Sequence, residues 1–136
     1  FNLPTNAVRV HSTGDKRLPG ERQTIPWPNY QGVDYSRYNN WQNWLGVFVN
    51  ALNGDSLSTY NHQTQLGIRR SFPASRVPGV KLFAFGPQFP DRSYTDDDSQ
   101  YFELWGGPNK SFWPEDDITL APGSTLSWSE TWTVYK

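Results

Sequence analysis

Thr125-Leu126-Ser127-Trp128-Ser129-Glu130-Thr131-Trp132-Thr133-Val134-Tyr135 alternates along its whole length. Leu126, Trp128, Glu130, Trp132 and Val134 fall on one side of an extended chain, and the Ser, Thr and Tyr residues between them fall on the other. A period of two is the signature of a β-strand. The run predicts one long strand over residues 124–135, entered from the turn at Pro122-Gly123. A carboxylate stands between two tryptophans on the side that looks apolar. Burying an unpaired charge is costly, so Glu130 must find a partner, reach the rim or line a cavity.

The same reading extends upstream. Ala7-Val8-Arg9-Val10-His11 alternates and ends at Ser12-Thr13-Gly14-Asp15. Strands are also predicted over residues 45–49, 57–60, 66–72, 80–85 and 101–105. Asn53-Gly54-Asp55 is a strong hairpin signal between the first two of these, since Asn and Gly tolerate positive φ. Residues 18–38 hold Pro19, Gly20, Pro26, Pro28 and Gly32 with little periodicity, and read as a long loop. No helical period is convincing. Seven or eight strands in an antiparallel sandwich is the expected architecture, over a single domain spanning residues 1–136.

Composition agrees with that class. Aromatic residues make up 16% of the 136 and apolar residues only 35%, so the core must rest on Phe, Tyr and Trp. Eleven Gly and eleven Pro disfavour long helices. The net charge of −1 gives no basic field for phosphate, which argues against nucleic acid as a partner. Nine of the twelve bases precede residue 90 and nine of the thirteen acids follow it, a polarity that suits a head-to-tail contact or a plain solvated surface. There is no cysteine, hence no disulfide framework and no thiolate metal site, and no apolar run approaches a membrane span. No cofactor motif is present, and no phosphate loop or nucleophile elbow. The chain has no Met and begins at Phe1, which reads as part of a longer product.

Sugars are held by stacking their C–H faces on aromatic rings while polar side chains satisfy the hydroxyls. Trp27, Trp41, Trp44, Trp105 and Trp113 lie in or beside predicted loops, so Trp27, Trp41 and Trp105 are candidate platforms. Trp as core filler or loop anchor is the plainer reading of each. Glu103 shares a strand side with Tyr101 and Trp105. A carboxylate beside aromatic rings can act as acid or base, while pairing with Arg69 or Arg70 would make it structural. His62 and His11 end predicted strands, where an imidazole can donate a proton near neutral pH or simply sit at the surface. Arg69, Glu130 and His11 complete the candidate sugar contacts. Asp96-Asp97-Asp98 and Glu115-Asp116-Asp117 offer oxygen ligands, but their spacing matches no calcium loop, and both read as solvated turns.

Three segments taken together carry a family likeness. They are Gly79-Val80-Lys81-Leu82-Phe83-Ala84-Phe85-Gly86, Tyr101-Phe102-Glu103-Leu104-Trp105-Gly106-Gly107, and Leu120-Ala121-Pro122-Gly123-Ser124 with the tryptophan strand behind it. They resemble the C-terminal half of galactose-mutarotase-like (aldose 1-epimerase-like) proteins, nearest to uncharacterised bacterial members. The resemblance implies half of an antiparallel β-supersandwich with a sugar cleft on a concave sheet face. It implies Glu103 as the base and His62 as the acid, with His11 in reserve. Ser124 stands where the family pattern has a glutamate.

A half sandwich would expose an apolar sheet face and open edges, both of which invite pairing with another chain. Two functions are therefore expected of this sequence. One is a carbohydrate-binding domain, with or without residual epimerase chemistry. The other is an extracellular assembly module that forms homo-oligomers or polymers. The sugar-like composition and the absence of Cys fit an extracellular or secreted setting.

Overall fold

In a computed structural model, which describes residues 1–87, 96–97 and 99–136, the alternating segments are extended and paired. Ten strands follow in order: β1 (Ala7–Thr13), β2 (Thr24–Pro26), β3 (Asn29–Tyr30), β4 (Val33–Asp34), β5 (Trp44–Val49), β6 (Ser56–Asn61), β7 (Leu66–Ser71), β8 (Gly79–Phe85), β9 (Phe102–Gly107) and β10 (Thr131–Tyr135). All pairings are antiparallel. Among the described residues the helical content is two three-residue 3-10 turns, at Tyr38–Asn40 and Pro114–Asp116. The all-β expectation holds.

The strands form a five-stranded sheet in the order β2-β1-β5-β8-β9, a three-stranded sheet β10-β7-β6, and the small pair β3-β4. One face of the large sheet is the core. Val8, Leu45, Val47, Val49, Val80, Leu82 and Ala84 alternate onto it and are buried. The three-stranded sheet covers it only in part, because Leu57 is the one residue of its strands in the main core cluster. Loop residues complete the cover: Leu3, Trp27, Tyr35, Trp41, Phe72 and Val77. The sandwich is therefore partial.

Three local expectations change. Residues 18–38 are not free of structure, since β2, β3 and β4 lie within them. Asn53-Gly54-Asp55 does not close a hairpin. β5 already has β1 on one edge and β8 on the other, so the chain has no open edge to fold back on and crosses to the other sheet. The final strand spans Thr131–Tyr135 rather than the whole of 124–135. Its partner runs out: Thr131 lies opposite Ser71, and the next residue, Phe72, turns away to donate its N–H to the Asp55 carbonyl and bury its ring.

One cross-sheet staple holds the two layers. Arg70, buried on β7, donates to both oxygens of Glu130 and, at 2.7 Å, to the backbone carbonyl of Leu104 on β9. Its guanidinium also lies 5.4 Å from the Trp132 ring centroid. Glu130 thus has the partner its placement demanded. Hydrogen bonds from Arg70 hold the Glu130 carboxyl below its ordinary range, and burial opposes them. Among the described residues, no helix is long and apolar enough to cross a membrane.

Candidate functional site on the outer face of the large sheet

The opposite face of the five-stranded sheet is not the polar surface that alternation usually gives. Register places Arg9 (β1), Phe48 (β5), Lys81 (β8) and Trp105 (β9) side by side in one row across four strands. The next row holds Ser12, Gly46, Phe83 and Glu103. The segment after β9 folds back over the first row. Phe112 packs edge-on to Phe48 at 4.9 Å and to Trp105 at 5.7 Å between centroids. Gly79 makes this return possible, because a Cβ there would overlap the Asn109 carbonyl oxygen.

Lys81 is the centre of the arrangement. It is only 7% exposed. Its Nζ lies 4.5 Å from the Phe112 ring centroid, 5.5 Å from those of Phe48 and Phe83, and 5.8 Å from that of Trp105. Burial lowers the Lys81 pKa from its ordinary value, and the charge of Glu103 opposes the shift. Glu103 is itself occupied: Tyr101 donates its O–H to one carboxylate oxygen and Trp105 its indole N–H to the other. Neither Arg69 nor Arg70 pairs with it.

His11 joins the same face. Its ring lies edge-on to Phe48, Phe112 and Trp113 at 5.4, 5.6 and 5.8 Å. Its Nδ1 is buried without a hydrogen-bond partner among the described residues. Burial first, and then the charge of Lys81, lowers the His11 pKa, so the neutral ring is favoured. Trp113 anchors the rim. It is buried, donates its indole N–H to Glu21 at 2.7 Å, and has the guanidinium groups of Arg9 and Arg22 on its ring at 4.6 and 5.0 Å. Arg9 pairs with Asp116 at 2.5 Å and Arg22 pairs with Glu115. Asp117 accepts from Asn109 Nδ2 at 3.0 Å. The second acidic run is thus taken up by these partners. In the first run Asp97 caps the backbone N–H of Ser99, and Asp98 lies outside the described residues.

Beside Lys81 the surface opens into a cleft of about 230 Å³, floored by Gly106 and Gly107 and walled by Trp105, Asn109 and Phe112. The two aromatic walls face solvent, Trp105 at 46% and Phe112 at 52% exposure. Rings flanking a few polar groups in a concavity are the general form of a small-ligand site.

Of the residues singled out from sequence, Glu103, Trp105 and His11 come together on this face. The others do not. Trp41 is 1% exposed and donates its indole N–H to the Tyr35 carbonyl, and Trp27 is also buried, so neither can stack on a sugar. Both cover the core face that the small sheet leaves bare. His62 lies in the turn between β6 and β7 with the Tyr60 ring as its neighbour, and no hydrogen bond or ion pair among the described residues joins it to Glu103. The expected acid–base pair is not formed. Arg69 sits on the outer side of the small sheet over the Tyr135 ring, at 5.5 Å, and Glu130 is committed to Arg70. Sequence reasoning missed Lys81, Phe48 and Phe112. A lysine within the apolar run Val80–Phe85 was the available signal, since lysine is seldom buried.

No protein-family model matches the chain, and no curated protein matches it. Among solved structures it is similar to a TPR-domain containing protein from Parabacteroides distasonis. The two are 20% identical, with a TM-score of 0.65 over 98% of this chain and 21% of that one. The likeness is one of fold alone. The chain spans about one fifth of that protein's length. This finding overturns the expected kinship with galactose-mutarotase-like proteins, on which the expected roles of Glu103 and His62 rested. The motifs that suggested it, aromatic strands punctuated by Gly-Gly and Pro-Gly, meet the demands of any aromatic-rich antiparallel sheet.

Proposed function

We propose that the outer face of the five-stranded sheet binds carbohydrate. The observation that carries this reading is the pair of solvent-facing rings, Trp105 and Phe112, packed edge to face beside a cleft that Lys81 also lines. A pyranose offers an apolar C–H face to such a ring and hydroxyls to the polar groups beside it. Glu103 fixes the Trp105 indole by accepting its N–H, so the platform is held before a ligand arrives. Preorganisation of this kind favours binding, and no step of bond making is required of these residues.

The test is a titration of the intact protein with a panel of oligosaccharides, read by indole fluorescence and calorimetry. Trp105→Ala should still fold, with a lowered unfolding midpoint for its lost contacts, and should weaken the bound sugar about tenfold or more, roughly 1.4 kcal/mol. Unchanged affinity in that variant would remove the site from this face.

A second reading is favoured by a different observation. Leu66, Ile68, Trp132 and Val134 share one face of the small sheet beyond its contact with the core, and all four are exposed. An uncovered apolar sheet face suits self-association. The two readings use different sheets and can both hold.

A further inference from the structure

Lys81 differs from the other cations of the outer face. Arg9 has Asp116 and Arg22 has Glu115, but among the described residues no carboxylate comes within ion-pair distance of Lys81. Aromatic rings stabilise a cation through their faces, yet they leave the three ammonium N–H donors unsatisfied. Glu103 is the nearest candidate by position, one row away, but both of its oxygens already accept hydrogen bonds from Tyr101 and Trp105. Elsewhere on the same face, outside the lining of the cleft, Nδ1 of His11 and Nε of Arg9 are buried without a partner among the described residues. Polar groups that fold inward are nearly always satisfied, so a largely buried ammonium that lines the cleft with no carboxylate against it points to a ligand rich in acceptor oxygens.

A neutral sugar supplies hydroxyl acceptors, which answer a buried ammonium only weakly. An anionic oxygen group answers it with charge-assisted hydrogen bonds, about twice as strong as neutral ones. We propose that the sugar unit taken at this cleft is acidic, its anionic group paired with Lys81 and its ring against Trp105 and Phe112. Carboxylate and sulfate groups share this chemistry. The inference rests on the carbohydrate reading above and narrows it to a ligand class.

The experiment compares an oligogalacturonate, a sulfated galactan oligosaccharide and a neutral galacto-oligosaccharide of equal length, titrated calorimetrically into the intact protein at low and moderate salt. At least one acidic ligand should bind about tenfold tighter than the neutral one, and the one that does identifies the anionic group. Lys81→Met should bring its affinity down to the neutral level, while Lys81→Arg should keep the preference. Equal binding of acidic and neutral sugars by the wild type overturns the inference and leaves the carbohydrate reading standing. So does a preference that survives in Lys81→Met. Should that variant not fold, the wild-type comparison decides alone, since a preference that does not weaken with salt is not an ion pair. Failure of all three sugars to bind, with indole emission unchanged, overturns both.

Discussion

At Lys81, burial and four aromatic rings act on one ammonium in opposite directions. Burial disfavours the charged form, and the ring faces partly compensate. The net shift is downward, which fixes how stability should respond to pH. Between the lowered folded pKa and the unfolded value of 10.5, the unfolded chain holds more protons than the folded one. Stability contributed by this residue therefore rises with pH across that window, and the full penalty applies below it. Lys81→Met keeps the volume and removes the charge. We expect it to be more stable than wild type at pH 7 by about 1 kcal/mol in denaturant unfolding. The gap should shrink as pH approaches 10.5, and a widening gap would contradict the account. Lys81 could have been singled out from sequence, as a charge inside an apolar strand. The burial of Trp27 and Trp41 could not, because nothing in a Pro- and Gly-rich stretch says that it folds over an open sheet face. The distance of His62 from the large sheet was not legible for a related reason: a strand end is visible in sequence, but the sheet to which that strand belongs is not.

At the scale of elements, the joint between layers depends on Arg70. It satisfies Glu130 and the Leu104 carbonyl together, and Trp132 lies against it. Arg70→Ala leaves a largely buried carboxylate and a strand carbonyl without their donor, and should cost about 3 kcal/mol in chemical denaturation. Replacing both partners, Arg70→Met with Glu130→Leu, should recover most of that loss. The sign with pH follows from the depressed Glu130 carboxyl. Its contribution is present above the unfolded value of 4.5 and is lost as pH falls through the lower folded value. Glu130→Gln should flatten the acid limb of the stability curve, and an unaltered limb would show that the pair contributes nothing. The pairing partners in this joint were only half legible. Alternation showed that Glu130 faces the apolar side, but two arginines stand next to each other on β7 and only the register selects Arg70 over Arg69.

For the whole molecule, the consequence of partial cover is an apolar shelf at one end of the small sheet. Trp132 and Val134 are 62% and 68% exposed on the edge strand β10, whose outer edge has no neighbouring strand among the described residues. Such a surface should associate as concentration rises. Light scattering is expected to show mass increasing with concentration, and Trp132→Thr with Val134→Thr to hold the protein monomeric without unfolding it. A wild type monomeric at all concentrations would remove the assembly reading. An exposed apolar sheet face was among the expectations from sequence. Its location was not, because it depends on where β10 ends its pairing with β7.

The crossing from β5 to β6 sets an order of events. β6 and β7 are neighbours in sequence and pair directly, whereas β5 must wait for β8, which arrives only after that hairpin has been made. Local pairs close quickly and distant ones slowly, since loop closure has to precede their contacts. The small sheet also lends only Leu57 to the main core cluster. Amide exchange on β6 and β7 should therefore proceed by a partial opening below the global free energy, while amides of β5 and β8 exchange only when the entire chain unfolds. The hairpin that forms first would then be the part that lets go first.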